Sequence, residues 1–142
     1  TETCIWSTCK ELTHEHQISI GLPIDNTQTY ILDSHKRLVP HGVEGDLWIA
    51  GLGVARGYIN NPEHTTERFV ENPFGEGRMY KTGDRAKWNG EELECLGRDD
   101  DQVKIRGYRI ELGEIEQVLR DYPAVANAAA TVQELVMGNS VI

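Results

Sequence analysis

The residues best suited to chemistry in this chain are carboxylates set beside glycine turns. Tyr80-Lys81-Thr82-Gly83-Asp84 places an acid directly after a strand-like run and a glycine, where its oxygens can grip the vicinal hydroxyls of a sugar. An aspartate that only caps its own turn is the alternative from local sequence. Gly97-Arg98, followed by Asp99, Asp100 and Asp101, is ambiguous in the same way: a solvated acidic turn is the commoner meaning of such a run, with Arg98 as its counter-ion. Thr1-Glu2 offers a hydroxyl and a carboxylate to a magnesium-bound phosphate, because Mg²⁺ takes few protein carboxylates and leaves its other positions to water and phosphate. The five histidines, His14, His16, His35, His41 and His64, stand in polar, turn-like stretches without an HExxH spacing, so metal ligation by them is not expected. No Ser-His-Asp arrangement is legible, and the phosphate-loop pattern GxxxxGK[ST] is absent.

The elements that must position these residues are mostly strands. Residues 27–33 and 43–50 carry β-branched or aromatic residues between turn formers. The run GLGVARGY at 51–58 has three glycines and reads as a loop passing close to other backbone. Asn61-Pro62-Glu63 opens a helix: the asparagine caps free N–H groups, proline suits the first position and glutamate faces the positive end; it is expected to finish near Val70. RMYKTGD reads as a strand, AKW-NG-EELECL as a hairpin turning at Asn89-Gly90 in type I′ geometry, and residues 102–110 as a ribbon bent at Gly107. In LGEIEQVLRDYP the apolar Ile115, Val118, Leu119 and Tyr122 share one helical face, which reads as a core face, and Pro123 ends the helix. Residues 125–132 read as a further strand. The fold class expected is α+β.

Composition bounds the partners. The chain has 142 residues, enough for one modest core or two small units, with 39% hydrophobic and 26% charged residues. A net charge of −9 argues against nucleic acid or an anionic membrane as the main partner, and leaves room for a small phosphate ligand held by a few cations and backbone N–H groups. Cys4, Cys9 and Cys95 form neither an even framework nor a CxxC pair, which fits reduced thiols and a cytoplasmic protein. No run reaches the ~20 apolar residues of a membrane span.

Read in order, TE at 1–2, GDLWIAGLGVARGY at 45–58, YKTGD at 80–84 and GRDDDQVKIRGYRIELGEIE at 97–116 resemble, in residues and in spacing, successive core motifs of nonribosomal peptide synthetase adenylation domains. With NPEHTTERFVENPF at 61–74 the resemblance covers nearly the whole chain. Acyl-CoA ligases and luciferase-like enzymes share the TGD and GR elements but usually lack KIRG and ELGEIE. Residues 104–107 and 111–116 therefore favour amino-acid activation.

The resemblance implies a β-rich C-terminal part of the adenylate-forming core over residues 1–98, a hinge at 99–101 and the ββαβ start of a small lid domain over 102–142. It also implies a chemistry. An amino acid and Mg-ATP yield an aminoacyl adenylate and pyrophosphate, and the aminoacyl group then passes to the phosphopantetheine thiol of a peptidyl carrier domain working beside adjacent synthetase domains. Carried over residue by residue, Thr1 contacts the adenylate phosphate, Glu2 holds Mg²⁺, and Asp84 with Arg98 binds the ribose hydroxyls of ATP or AMP. Asp100 is the hinge residue. Lys104 and the bend at Gly107 face the site only in the second half-reaction, the plain alternative being an exposed basic strand. Ile5 and Trp6 match positions lining the specificity pocket, where an indole would fill volume and favour glycine or another small amino acid. Packing of Trp6 into a core is the alternative.

Some features depart from the resemblance. Cys95 stands where an aromatic ring is usual, three residues before Arg98, and LVMGNSVI at 135–142 does not continue the pattern. The chain starts at Thr1 and stops at Ile142, so both ends read as cut, and a phosphate loop, an aspartate for the substrate amine and a late lid lysine are missing. Activity from the segment alone is not expected. A noncatalytic module that docks a carrier or a neighbouring synthetase domain is the rival reading, against which Asp84, Arg98 and Lys104 count, because docking needs no ribose grip.

Overall fold

The computed structural model describes residues 1–11, 19–135 and 139–142; His14 and His16 lie outside these. The chain forms two compact units, Thr1–Asp99 and Asp100–Ile142. It is α+β: strands predominate and there are two short helices among the described residues.

In the first unit, β1 (Thr8–Cys9) pairs with β2 (Leu22–Pro23), and β3 (Thr27–Leu32), β4 (Gly45–Gly51), β5 (Phe69–Glu71), β6 (Arg78–Asn89) and β7 (Glu92–Arg98) make a five-stranded antiparallel sheet. The order is β3-β4-β6-β5, with β7 also on β6. The long β6 lies against β4; on its other edge β5 pairs with Arg78–Tyr80, and β7 with Asp84–Asn89. Asp84 therefore sits just beyond the point where that edge passes from β5 to β7. Gly83, immediately before it, has φ +83°, and a register shift follows between Arg85 and Ala86, so the strand is irregular on both sides of the acid.

β4 explains why this sheet is a core. Its successive residues Leu47, Trp48, Ile49 and Ala50 are all buried, so both faces of the strand are covered. Alternation sorts them: Leu47 joins Ile31, Ala86 and Leu93, whereas Trp48 and Ala50 join Leu32 and Met79. Each fully buried aliphatic side chain here contributes about 1.5–3 kcal/mol relative to exposure. Gly51 ends β4 at φ +112°, and a Cβ there would lie 2.1 Å from the Asn26 carbonyl oxygen, the close backbone passage expected of this glycine-rich run. α1 (Pro62–Arg68) starts as read, with Asn61 Oδ1 accepting from His64 N at 3.1 Å, and it stops two residues before Val70 because Phe69 is already extended and enters β5.

The β6–β7 turn differs from its expected centre. Asn89 pairs with Glu92, so the loop residues are Gly90 and Glu91, and only Gly90 has positive φ. Glycine first in a two-residue loop is the II′ arrangement, whereas type I′ needs positive φ at both positions.

The second unit opens with the hairpin of β8 (Gln102–Ile105) and β9 (Tyr108–Glu111), whose loop residues Arg106 and Gly107 have φ +52° and +84°. This is the turn with both central residues left-handed, and Gly107 takes its share without strain. α2 (Leu112–Arg120) follows. Leu112 is buried, but Val118, Leu119 and Tyr122 are exposed, so the face read as core is uncovered. Residues 125–132 form no strand: alanines bring little strand preference, and the backbone is taken by the helix instead, with Glu116 Oε1 accepting from Ala130 N at 3.0 Å. The strand after the helix is β10 (Gln133–Leu135), paired with β11 (Asn139–Val141).

Candidate functional site

Asp84 and Arg98 are directly opposite across β6 and β7. Arg98 Nη1 donates to Asp84 Oδ1 at 2.8 Å, and Nη2 donates to the Thr82 carbonyl at 3.1 Å. The two side chains are about a quarter exposed, 26% for Arg98 and 29% for Asp84, so the pair is anchored yet reachable. The carboxylate does not cap its own turn. That task falls to Thr82, whose buried hydroxyl accepts from Asp84 N at 2.9 Å and donates to the Leu47 carbonyl at 2.9 Å. Gly83 O accepts from Asp99 N at 2.9 Å, which ties the end of β7 to the same turn. Sequence reasoning misses Thr82; its one signal is a hydroxyl two residues before an aspartate.

Glu2 is built in by a different route. The backbone of the 51–58 loop reaches it, Ala55 N donating to Glu2 O at 2.8 Å, and the Tyr58 hydroxyl donates to Glu2 Oε1 at 3.0 Å. Tyr58 stacks on His64 with ring centroids 4.7 Å apart and meets the edge of Phe69 at 5.4 Å, and its hydroxyl lies 3.4 Å from that of Tyr80. Burial, with the Tyr80 hydroxyl and the Glu2 carboxylate alongside, pushes the Tyr58 phenol far above its ordinary range, so it stays a proton donor. Glu2 itself is only 11% exposed, whereas Thr1 is exposed. Among the described residues no three His, Cys, Asp or Glu side chains gather as a metal site. One carboxylate held by a hydroxyl suits Mg²⁺, which draws most of its ligands from phosphate and water.

The remaining expected positions fall in both units. Ile5 and Trp6 are 85% and 76% exposed on a short loop closed by the Thr3 and Ser7 hydroxyls at 2.9 Å, so Trp6 is not packed into this unit's core. Asp100 begins the second unit, with Oδ1 accepting from Gln102 N at 3.4 Å. Lys104 is exposed on β8 opposite Arg109 and has no hydrogen-bond or ion-pair partner among the described residues, and Gly107 sits in the hairpin turn. Cys95 is exposed on β7. No helix among the described residues is long and apolar enough to cross a membrane.

Residues 1–59 match the family model described as AMP-binding enzyme. The chain is 50% identical over 139 residues to the dimodular nonribosomal peptide synthase of Bacillus subtilis, covering 94% of this chain and 6% of that protein. It is 48% identical over 137 residues to gramicidin S synthase 2 of Brevibacillus brevis, covering 94% of this chain and 3% of that one. Among solved structures, PA1221, an NRPS protein containing adenylation and PCP domains, matches at TM-score 0.83 with 34% identity over 99% of this chain and 30% of its own. Holo-AB3403, a four-domain nonribosomal peptide synthetase bound to AMP and glycine, matches at TM-score 0.67 with 43% identity over 98% of this chain and 11% of its own. The chain thus spans a small part of each relative. On these matches, and on a fold that agrees with them, the chain belongs to the AMP-binding, adenylate-forming enzymes and is a segment of a nonribosomal peptide synthetase adenylation domain.

Proposed function

We propose that this segment, within a complete adenylation domain, activates an amino acid as its aminoacyl adenylate and delivers it to the phosphopantetheine thiol of a peptidyl carrier domain. The observation that carries the reading is the Asp84–Arg98 pair. One carboxylate oxygen is fixed by the guanidinium, and Oδ2 has no partner among the described residues, so a rigid, partly exposed acceptor stands ready for a ribose hydroxyl. Glu2 is the carboxylate for Mg²⁺, which when bound offsets charge on the phosphate oxygens, and Thr1 contacts the adenylate phosphate. In the first half-reaction the substrate carboxylate attacks the α-phosphorus of ATP and pyrophosphate leaves; in the second the carrier thiolate attacks the acyl carbon and AMP leaves.

Asp100, at the start of the second unit, is the hinge between the two steps, and Lys104 with the turn at Gly107 serves the second. An exposed ammonium is available to a developing negative charge there. The exposed Ile5 and Trp6 belong to the amino-acid pocket, and the bulk of Trp6 favours glycine or another small side chain. AMP and glycine bound in the matching four-domain synthetase support that choice. The carrier domain and adjacent synthetase domains are the partners. Three free, exposed cysteines suit a reducing compartment, and the activity belongs in the cytoplasm.

The test is AMP binding by calorimetry to the complete adenylation domain and its Asp84→Asn variant. Losing a charged acceptor for a ribose hydroxyl weakens AMP about tenfold or more. Equal affinity for the two proteins overturns the ribose-grip reading.

A further inference from the structure

We infer that Tyr58 is a positioning residue for the metal-binding carboxylate, so that the glycine-rich loop at 51–58 tunes the affinity of the domain for its divalent cation. The inference rests on the reading of Glu2 as the Mg²⁺ carboxylate. The two residues are 56 positions apart and meet through a 3.0 Å hydrogen bond from the Tyr58 hydroxyl to Glu2 Oε1. A second bond, Ala55 N to Glu2 O at 2.8 Å, fixes the glutamate backbone from the same loop, so both the main chain and the carboxylate are oriented by it.

Tyr58 is itself immobilised from several sides. Its ring is held between His64 and Phe69, and its N–H donates to Thr65 Oγ1 at 2.9 Å. Gly57 makes this approach possible: at φ +140° a Cβ would fall 2.3 Å from the Thr65 methyl carbon, so only glycine lets the loop settle onto α1 at this point. With Oε1 accepting from a fixed phenol the plane of the carboxylate is set, and Oε2, which lies 3.7 Å from the Thr1 amino group, is presented in one direction. A cation that keeps near-octahedral geometry then finds the ligand already aimed, and the orienting partner is worth roughly 10–100-fold in metal affinity.

The test uses the complete adenylation domain with Mn²⁺ as probe. Mn²⁺ binding is followed by electron paramagnetic resonance in the presence of a non-hydrolysable ATP analogue, for the wild type, Tyr58→Phe, Glu2→Gln and the double variant. Tyr58→Phe should weaken Mn²⁺ about tenfold. The double variant should be no weaker than Glu2→Gln alone, and the KM for the amino acid should stay unchanged. Unchanged Mn²⁺ affinity in Tyr58→Phe, with a loss in Glu2→Gln, overturns the inference and leaves the magnesium assignment standing. Unchanged affinity in Glu2→Gln overturns the assignment itself. Should Tyr58→Phe fail to fold, Thr65→Val removes the acceptor of the Tyr58 N–H without touching ring or carboxylate; a several-fold weakening there supports the inference, and none overturns it.

Discussion

Thr82 orients Asp84 without being acidic, basic or nucleophilic. Its hydroxyl joins the Asp84 N–H to the Leu47 carbonyl inside the sheet, and valine in its place would fill the same volume while leaving both groups unpaired. Thr82→Val should therefore destabilise the adenylation domain by about 1–3 kcal/mol in urea unfolding and weaken AMP as well, because the turn that presents the carboxylate loosens. A variant as stable as wild type would show that neither bond matters. What could be read at this scale follows from distance in sequence. Asp84 and Arg98 stand in short, distinctive runs whose types advertise their chemistry. Thr82 and Tyr58 do not: the one acts through a bond to β4, 35 residues away, and the other through a residue 56 positions off, and neither pairing has a local pattern.

Strand alternation and capping made most elements legible, because β4 with its unbroken apolar run and Asn61-Pro62 before α1 follow rules that operate within a few residues. The failures are equally physical. Residues 125–132 carry enough apolar side chains to read as a strand, but a strand needs a partner, and here Glu116 of α2 takes the Ala130 N–H instead. That contact is pH-sensitive. The hydrogen bond from Ala130, with Arg120 as a further cause, holds the Glu116 carboxyl below its ordinary value of about 4.5. A depressed carboxylate contributes order above that value and loses it as the pH falls through the depressed one. Protection of the Ala130 amide from hydrogen exchange should accordingly fall on acidification below about pH 4.5, and Glu116→Gln should flatten the dependence. A profile identical in wild type and variant would contradict this.

Across the whole molecule, the chain divides into two compact units between Asp99 and Asp100, and the proposed hinge residue is the first of the second unit. Proline at 100 fixes φ near −65° and so favours one backbone state. Asp100→Pro should affect adenylate formation and carrier loading unequally, by more than about tenfold in their ratio; equal effects on both would argue against a hinge there. Val118 and Leu119 on α2, and Tyr122 just after it, are exposed apolar surface. Amino-acid activation is read out by amino-acid-dependent ATP–pyrophosphate exchange in the complete adenylation domain. Exchange is predicted with a small amino acid, glycine foremost, and a loss of at least about tenfold in Asp84→Asn; no exchange with any amino acid in a full panel would contradict it.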